Sequence, residues 1–113
     1  MHELSLAQSI LSIADKVLPP DETGLVTAVV VQVGALSGVE PEALLFAFDA
    51  IKGEGRLARA RLVLEHIPGE AICRNCNSRF ALADFTAPCP ACGSYNRSIV
   101  QGKEFRVLRL EVE

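Results

Sequence analysis

Along the first eighteen residues, apolar positions recur every three or four places: Leu4, Ala7, Leu11, Ala14 and Leu18, with Ile10 and Val17 widening the stripe. That period predicts an amphipathic helix laid against another layer. Ser5 and Gln8 have the spacing of a capping box, which would leave residues 1–3 just ahead of the first turn. The stretch LPPDETG then stops the helix, because two prolines and a run of turn-forming residues oppose its continuation. From Leu25 to Leu36 the pattern becomes almost continuously apolar and β-branched. Val29, Val31 and Val33 fall on one face and Ala28, Val30 and Leu36 on the other, as in a strand buried on both sides. SGVEPEALLFAFDAIKG supplies a turn, Pro41 at a first helical position, and a second helix presenting Leu44, Leu45, Phe48 and Ile51 before Gly53. Residues 60–67 and 104–113 read as two further strands.

This order predicts an α/β fold: a small three-stranded sheet covered by two helices, with a four-cysteine, zinc-ribbon-like domain inserted before the last strand. The sheet needs the C-terminal strand. The chain must therefore leave it near Pro68 and return near Gly102, giving boundaries of 1–68 plus 101–113 for the α/β domain and 69–100 for the insertion.

The insertion carries the clearest chemistry. Its cysteines form the pairs CRNC and CPAC, Cys73 with Cys76 and Cys89 with Cys92, separated by 12 residues. Each pair makes a tight chelating turn, and together they can surround one tetrahedral zinc. Four thiolates leave no open coordination position, so the expected zinc is structural first and not catalytic. Metal binding would supply free energy to a segment whose only obvious larger core contributors are Phe80, Leu82, Phe85 and Tyr95. Four thiolates and one zinc sum to a charge of −2, which Arg74, Arg79 and Arg97 are placed to offset; the plainer expectation is that they are solvated.

Half of the 113 residues are apolar, and the formal charge is −3. Such a balance fits a folded chain and argues against broad neutralisation of a nucleic-acid backbone. A zinc-ribbon nucleic-acid binder nevertheless stands as an alternative class, as does a zinc-stabilised protein-interaction module. No apolar run approaches the roughly 20 residues of a bilayer span, and no basic stretch with an apolar signal core opens the chain, so the expected location is cytoplasmic. Cys-x-x-Cys pairs in such a compartment point to metal more than to disulfides. Neither the histidines nor the acids form a nucleophile, base and orienting group, and Ser5, Ser9 and Ser12 read as helical or capping residues. The chain is expected not to be an enzyme.

The first residues raise a second metal question. The free amine of Met1, the backbone nitrogen of His2 and its imidazole can converge on one square-planar ion, with a backbone nitrogen or carboxylate of Glu3 completing the set. Nitrogen-rich donors of this kind suit Ni²⁺ or Cu²⁺. One terminal histidine is ordinarily incidental, and the residues alone leave both readings open. His66, toward the end of a strand, is expected to be partly buried or at an edge.

Taken together, MHELSLAQSI, VQVGALSGVEPEALLFAFDAI and the paired cysteines resemble the HypA/HybF family of hydrogenase nickel incorporation proteins over essentially the whole chain. The resemblance implies a nickel metallochaperone with a nickel-binding α/β domain joined to a zinc-binding domain. It implies Ni²⁺ as exchangeable cargo, held by Met1, His2 and Glu3 with Glu40 as a supporting or occasional donor. Structural Zn²⁺ would be held by Cys73, Cys76, Cys89 and Cys92. Gly34 and Gly38 would be constrained turns near the nickel face. The implied partners are a HypB-like GTPase, the NiFe-hydrogenase large-subunit precursor, in some settings a SlyD-like protein, and a second copy of the chain as a homodimer. In some organisms the implied role extends to urease. Protonating the imidazole would compete with nickel, so affinity should fall on acidification.

Overall fold

The computed structural model describes residues 2–113, and their elements run in the order α1 (Glu3–Val17), β1 (Val26–Gly34), α2 (Pro41–Ile51), β2 (Arg61–Ile67), β3 (Glu70–Cys73), β4 (Arg79–Ala81), β5 (Arg97–Gln101) and β6 (Phe105–Val112). The six strands form two separate three-stranded sheets, ordered β2-β1-β6 and β4-β3-β5. The chain divides into two compact units. One comprises the residues up to Val31 with Val39–Glu65 and Arg106–Glu113; the other comprises Gln32–Gly38 and His66–Phe105.

In the first unit the valine-rich β1 takes the centre of its sheet, with Val26, Val29, Val30 and Val31 at 0–1% exposure. Burial on both faces explains why the run lacks polar alternation. β1 and β6 are antiparallel: Gly34 N–H donates to the Glu104 carbonyl at one end and Glu113 N–H to the Leu25 carbonyl at the other. α1 and α2 pack against each other and bury Ala7, Ile10, Ala14, Leu44, Ala47 and Phe48. Arg109 on β6 pairs with Glu65 on β2 at 3.7 Å. Because β1 lies between those strands, the pair spans the central strand, and the aliphatic parts of the long side chains can screen it from water.

Two expectations about the helices are corrected. α1 starts at Glu3 with His2 in the N-cap position and no side-chain cap, so Ser5 caps nothing and the first turn includes Glu3. The physical reason is that the buried Glu3 carboxylate has a partner in α2, described below, which favours helix one turn earlier than the serine would. The inward stripe is also rotated: Glu3, Ala7, Ile10, Ala14 and Leu18 are buried, whereas Leu4 and Val17 are 52% and 65% exposed. In α2, Leu44 and Phe48 point inward as expected, but Leu45 is exposed, and Ala47 takes the buried place between them.

The second unit has its own sheet. β3 pairs antiparallel with β4 through Ala71↔Phe80 and with β5 through Ile72↔Ser98, with a register shift at Glu70/Ala71. Its core is Leu36, Ala71, Cys73, Phe80, Leu82 and Cys89, with Ala87 and Ile99 packed on it. Leu36 therefore belongs to this core, since β1 ends at Gly34, and not to the outer face of β1. Phe85 and Tyr95, expected inside, are 53% and 63% exposed. The core is instead filled by Leu36, Phe80 and Leu82 with Ala71 and the two buried cysteines. No helix of the described residues is long and apolar enough to cross a membrane.

Candidate metal centre

Two chain reversals build the four-sulfur centre, and they repeat one another. In the first, Cys73 N–H donates to the Ser78 carbonyl and Asn77 N–H donates back to the Cys73 carbonyl, both at 2.9 Å. In the second, Cys89 N–H donates to the Ser94 carbonyl and Gly93 N–H to the Cys89 carbonyl, both at 2.8 Å. The residue after each second cysteine has a positive φ, 64° at Asn77 and 76° at Gly93, a backbone region that asparagine and glycine tolerate best. The signal lies in the sequence as Cys-x-x-Cys-Asn-Ser and Cys-x-x-Cys-Gly-Ser, and cysteine spacing alone passes over it.

The four Sγ atoms lie within 4.8 Å of one another. Cys73 approaches Cys92 at 3.5 Å and Cys76 approaches Cys89 at 3.6 Å. Metal–sulfur bonds of about 2.3 Å at tetrahedral angles would hold sulfurs about 3.8 Å apart, so the set fits one tetrahedral, thiophilic ion. Cys73 and Cys89 are buried, while Cys76 and Cys92 reach solvent.

The protonation pattern also favours a cation. The Ser78 hydroxyl, and then the Ser78 N–H, draw the Cys76 thiol down to about 6. The Cys76 N–H is the main influence lowering Cys73. At Cys92 the Ser94 N–H favours the thiolate, but the Cys73 sulfur, desolvation and the remaining sulfurs outweigh it and push the thiol up to about 12. Each added thiolate raises the cost of the next, and a divalent ion removes that cost.

The three arginines are engaged in holding the surrounding chain. Arg74 Nε donates to Ser98 Oγ at 3.0 Å, Arg79 pairs with Glu70, and Arg97 donates to the Phe85 and Ala87 carbonyls at 2.6 and 3.1 Å. Asp84 accepts from the Thr86 hydroxyl and N–H, which lowers its carboxyl, with the Arg97 charge adding to the effect. These contacts shape the loop leading to Cys89.

In the first unit, the start of α1 meets the start of α2. Glu3 is 5% exposed and its Oε2 accepts the Glu40 backbone N–H at 3.1 Å. His2 is partly exposed, and its carbonyl accepts the Leu6 N–H at 3.0 Å, the first bond of the helix. The structure thus brings His2, Glu3 and Glu40 to one end of the helix pair, with the Glu40 side chain exposed. Met1 lies outside the described residues. His66 is exposed near the end of β2, an edge strand, in the second unit.

One unit thus carries a four-thiol centre that fits a metal ion, and the other a helix start with a histidine in the N-cap position. The family described as "Hydrogenase/urease nickel incorporation, metallochaperone, hypA" matches residues 1–112. The hydrogenase maturation factor HypA of Geobacter metallireducens is 42% identical over 113 residues, covering all of both chains. Those of Geobacter sulfurreducens and Albidiferax ferrireducens are 42% and 41% identical over the same span. The solution structure of the Ni metallochaperone HypA from Helicobacter pylori superposes with a TM-score of 0.64 at 27% identity, covering 99% of this chain and 97% of that one. A second solution structure of a HypA protein gives a TM-score of 0.68 at 28% identity, covering 100% and 97%. The chain belongs to the HypA family of nickel-incorporation metallochaperones that act in hydrogenase maturation.

Proposed function

We propose that this chain binds Ni²⁺ at its N-terminal end and delivers it to the NiFe-hydrogenase large-subunit precursor, while zinc in the four-cysteine centre preserves the second unit. The observation that carries the reading is the anchored helix start: Glu3, buried and bonded to Glu40 N–H, holds His2 at the very beginning of α1. The backbone N–H groups at a helix start are not committed to the intrahelical ladder, so the His2 amide can give up its proton and bind Ni²⁺ without breaking a helical hydrogen bond. Nickel is cargo, and an end-of-chain site leaves one side of the ion open for ligand exchange.

In this reading Met1 supplies its amine and His2 its backbone and imidazole nitrogens. Glu3 contributes chiefly as the anchor, because its carboxylate is already engaged, and Glu40 supports the site from the start of α2. The closed thiolate shell suits zinc that stays in place, which separates the two metals by donor chemistry. A HypB-like GTPase, in some settings joined by a SlyD-like protein, would assist transfer in the cytoplasm, and a second copy of the chain could complete a homodimer.

The test is transfer itself. Nickel-loaded chain mixed with the purified large-subunit precursor and the GTPase should lose nickel to the precursor, and faster than to buffer containing a competing chelator alone. Equal rates with and without precursor would reject delivery.

A further inference from the structure

We infer that the four-cysteine centre is a hydroperoxide-sensitive modification site in which oxidation joins cysteines across the two knuckles, as Cys73–Cys92 and Cys76–Cys89, with release of the metal. The inference rests on the reading of that centre as a zinc site.

Each knuckle offers one sulfur to solvent and hides the other. Cys76 and Cys92 are exposed, while Cys73 and Cys89 are 0% and 2% exposed. The sulfur contacts pair one of each kind: exposed Cys92 faces buried Cys73 at 3.5 Å, and exposed Cys76 faces buried Cys89 at 3.6 Å. Each exposed cysteine therefore faces a buried cysteine from the opposite knuckle. Within a knuckle, the paired backbone hydrogen bonds hold Cys73 and Cys76, or Cys89 and Cys92, in a chelating turn, and the C-x-x-C disulfide is the competing product that the disulfide map has to distinguish. Across the knuckles, a small movement of two side chains is sufficient.

The chemistry closes with the hydroperoxide as sole oxidant. The Cys76 thiolate attacks one peroxide oxygen, the O–O bond breaks, and with one proton the products are a sulfenic acid and water (or an alcohol from an organic hydroperoxide). The Cys89 thiolate then attacks the sulfenic sulfur, an S–S bond forms, and hydroxide leaves and is protonated to water. Two electrons pass from the thiol pair to the peroxide, and Cys92 with Cys73 repeats the sequence using a second peroxide. With its thiolate ligands consumed, the ion has no reason to stay. A dithiol reductant with added zinc should restore the centre.

The experiment treats the full, zinc-loaded chain with hydrogen peroxide, follows zinc with a chromogenic chelator, and maps disulfides after trypsin. Cleavage at Arg74 and Arg79 puts Cys73 and Cys76 in different peptides, with Cys89 and Cys92 together in Phe80–Arg97. The expected product is Phe80–Arg97 bearing both other peptides, with fragmentation at Pro90 placing Cys76 on Cys89 and Cys73 on Cys92, in step with stoichiometric zinc release. A Cys73–Cys76 link, the opposite cross-pairing, or sulfinic acids without disulfide would overturn the inference. A chain that takes up no zinc at the start would instead contradict the zinc reading, and mapping the metal-free chain would still decide the pairing.

Discussion

The family resemblance implies that Gly34 and Gly38 are both constrained, yet the structure gives them different reasons, and replacing each by alanine separates the two. A Cβ at Gly34 would sit 1.9 Å from the Gly102 carbonyl oxygen, 2.2 Å from its carbon and 2.8 Å from the Glu104 nitrogen. All three are backbone atoms, so no side chain can swing aside. Restoring an ordinary contact of about 3.4 Å requires a backbone displacement of about 1.5 Å. That movement would break or stretch the bonds from Gly34 N–H to Glu104 at 2.7 Å and from Leu36 N–H to Gly102 at 2.6 Å. Overpacking costs about 1–3 kcal/mol and each of the two hydrogen bonds about 1 kcal/mol, giving about 3–5 kcal/mol in all. At Gly38 a Cβ meets nothing within 4 Å, and the only obstacle is a φ of 79°. Left-handed backbone costs an alanine about 1–2 kcal/mol, partly offset by the stiffer unfolded chain. Urea denaturation of zinc-loaded Gly34→Ala and Gly38→Ala should therefore differ by about 2 kcal/mol, or about 10 °C in Tm for a unit of this size. Equal midpoints would refute the close-approach argument.

The rotated stripe of α1 predicts that Ile10→Ala, at 0% exposure, costs about 2–5 kcal/mol while Leu4→Ala stays within about 0.5 kcal/mol, read by thermal unfolding. Glu3→Gln keeps an acceptor for Glu40 N–H and should preserve the helix start, whereas Glu3→Ala strands that N–H and should lower the melting temperature; equal melting of the two would remove the anchor role. Because Cys76 sits at about 6, below an ordinary thiol, the unfolded metal-free chain binds more protons between the two values. The stability this supplies should be complete above about pH 9, fall as the pH drops toward 6 and vanish below it. Ser78→Ala should flatten that pH dependence of the urea midpoint; an unchanged slope would refute the Ser78 assignment.

The sequence made some parts of this molecule legible because their patterns have one physical explanation. β1 is a β-branched run buried on both faces, Pro41 marks the first turn of α2, and two Cys-x-x-Cys units converge on one ion. Other parts depended on partners far along the chain. The start of α1 is set by Glu3 meeting Glu40, a contact 37 residues away that no local capping rule contains. β3, β4 and β5 are three to five residues long, too short for periodicity to show, and the cysteine turns obscure them. Leu36 looks like a continuation of the β1 pattern, but the chain turns after Gly34 and carries it into the second core. Size alone points Phe85 and Tyr95 inward, whereas Leu36, Ala71, Cys73, Phe80, Leu82 and Cys89 make up that small interior.

The central claim is that the exchangeable nickel site begins at the chain's first residues and is separate from the cysteine centre. Its most direct test is a nickel titration of zinc-loaded protein with a native, untagged N-terminus beside His2→Ala, with bound nickel and zinc measured together. The account predicts stoichiometric nickel binding by the parent chain, its loss in the variant, and unchanged zinc in both. Equal nickel binding by the two proteins, or nickel gained only as zinc is displaced from Cys73, Cys76, Cys89 and Cys92, would contradict it.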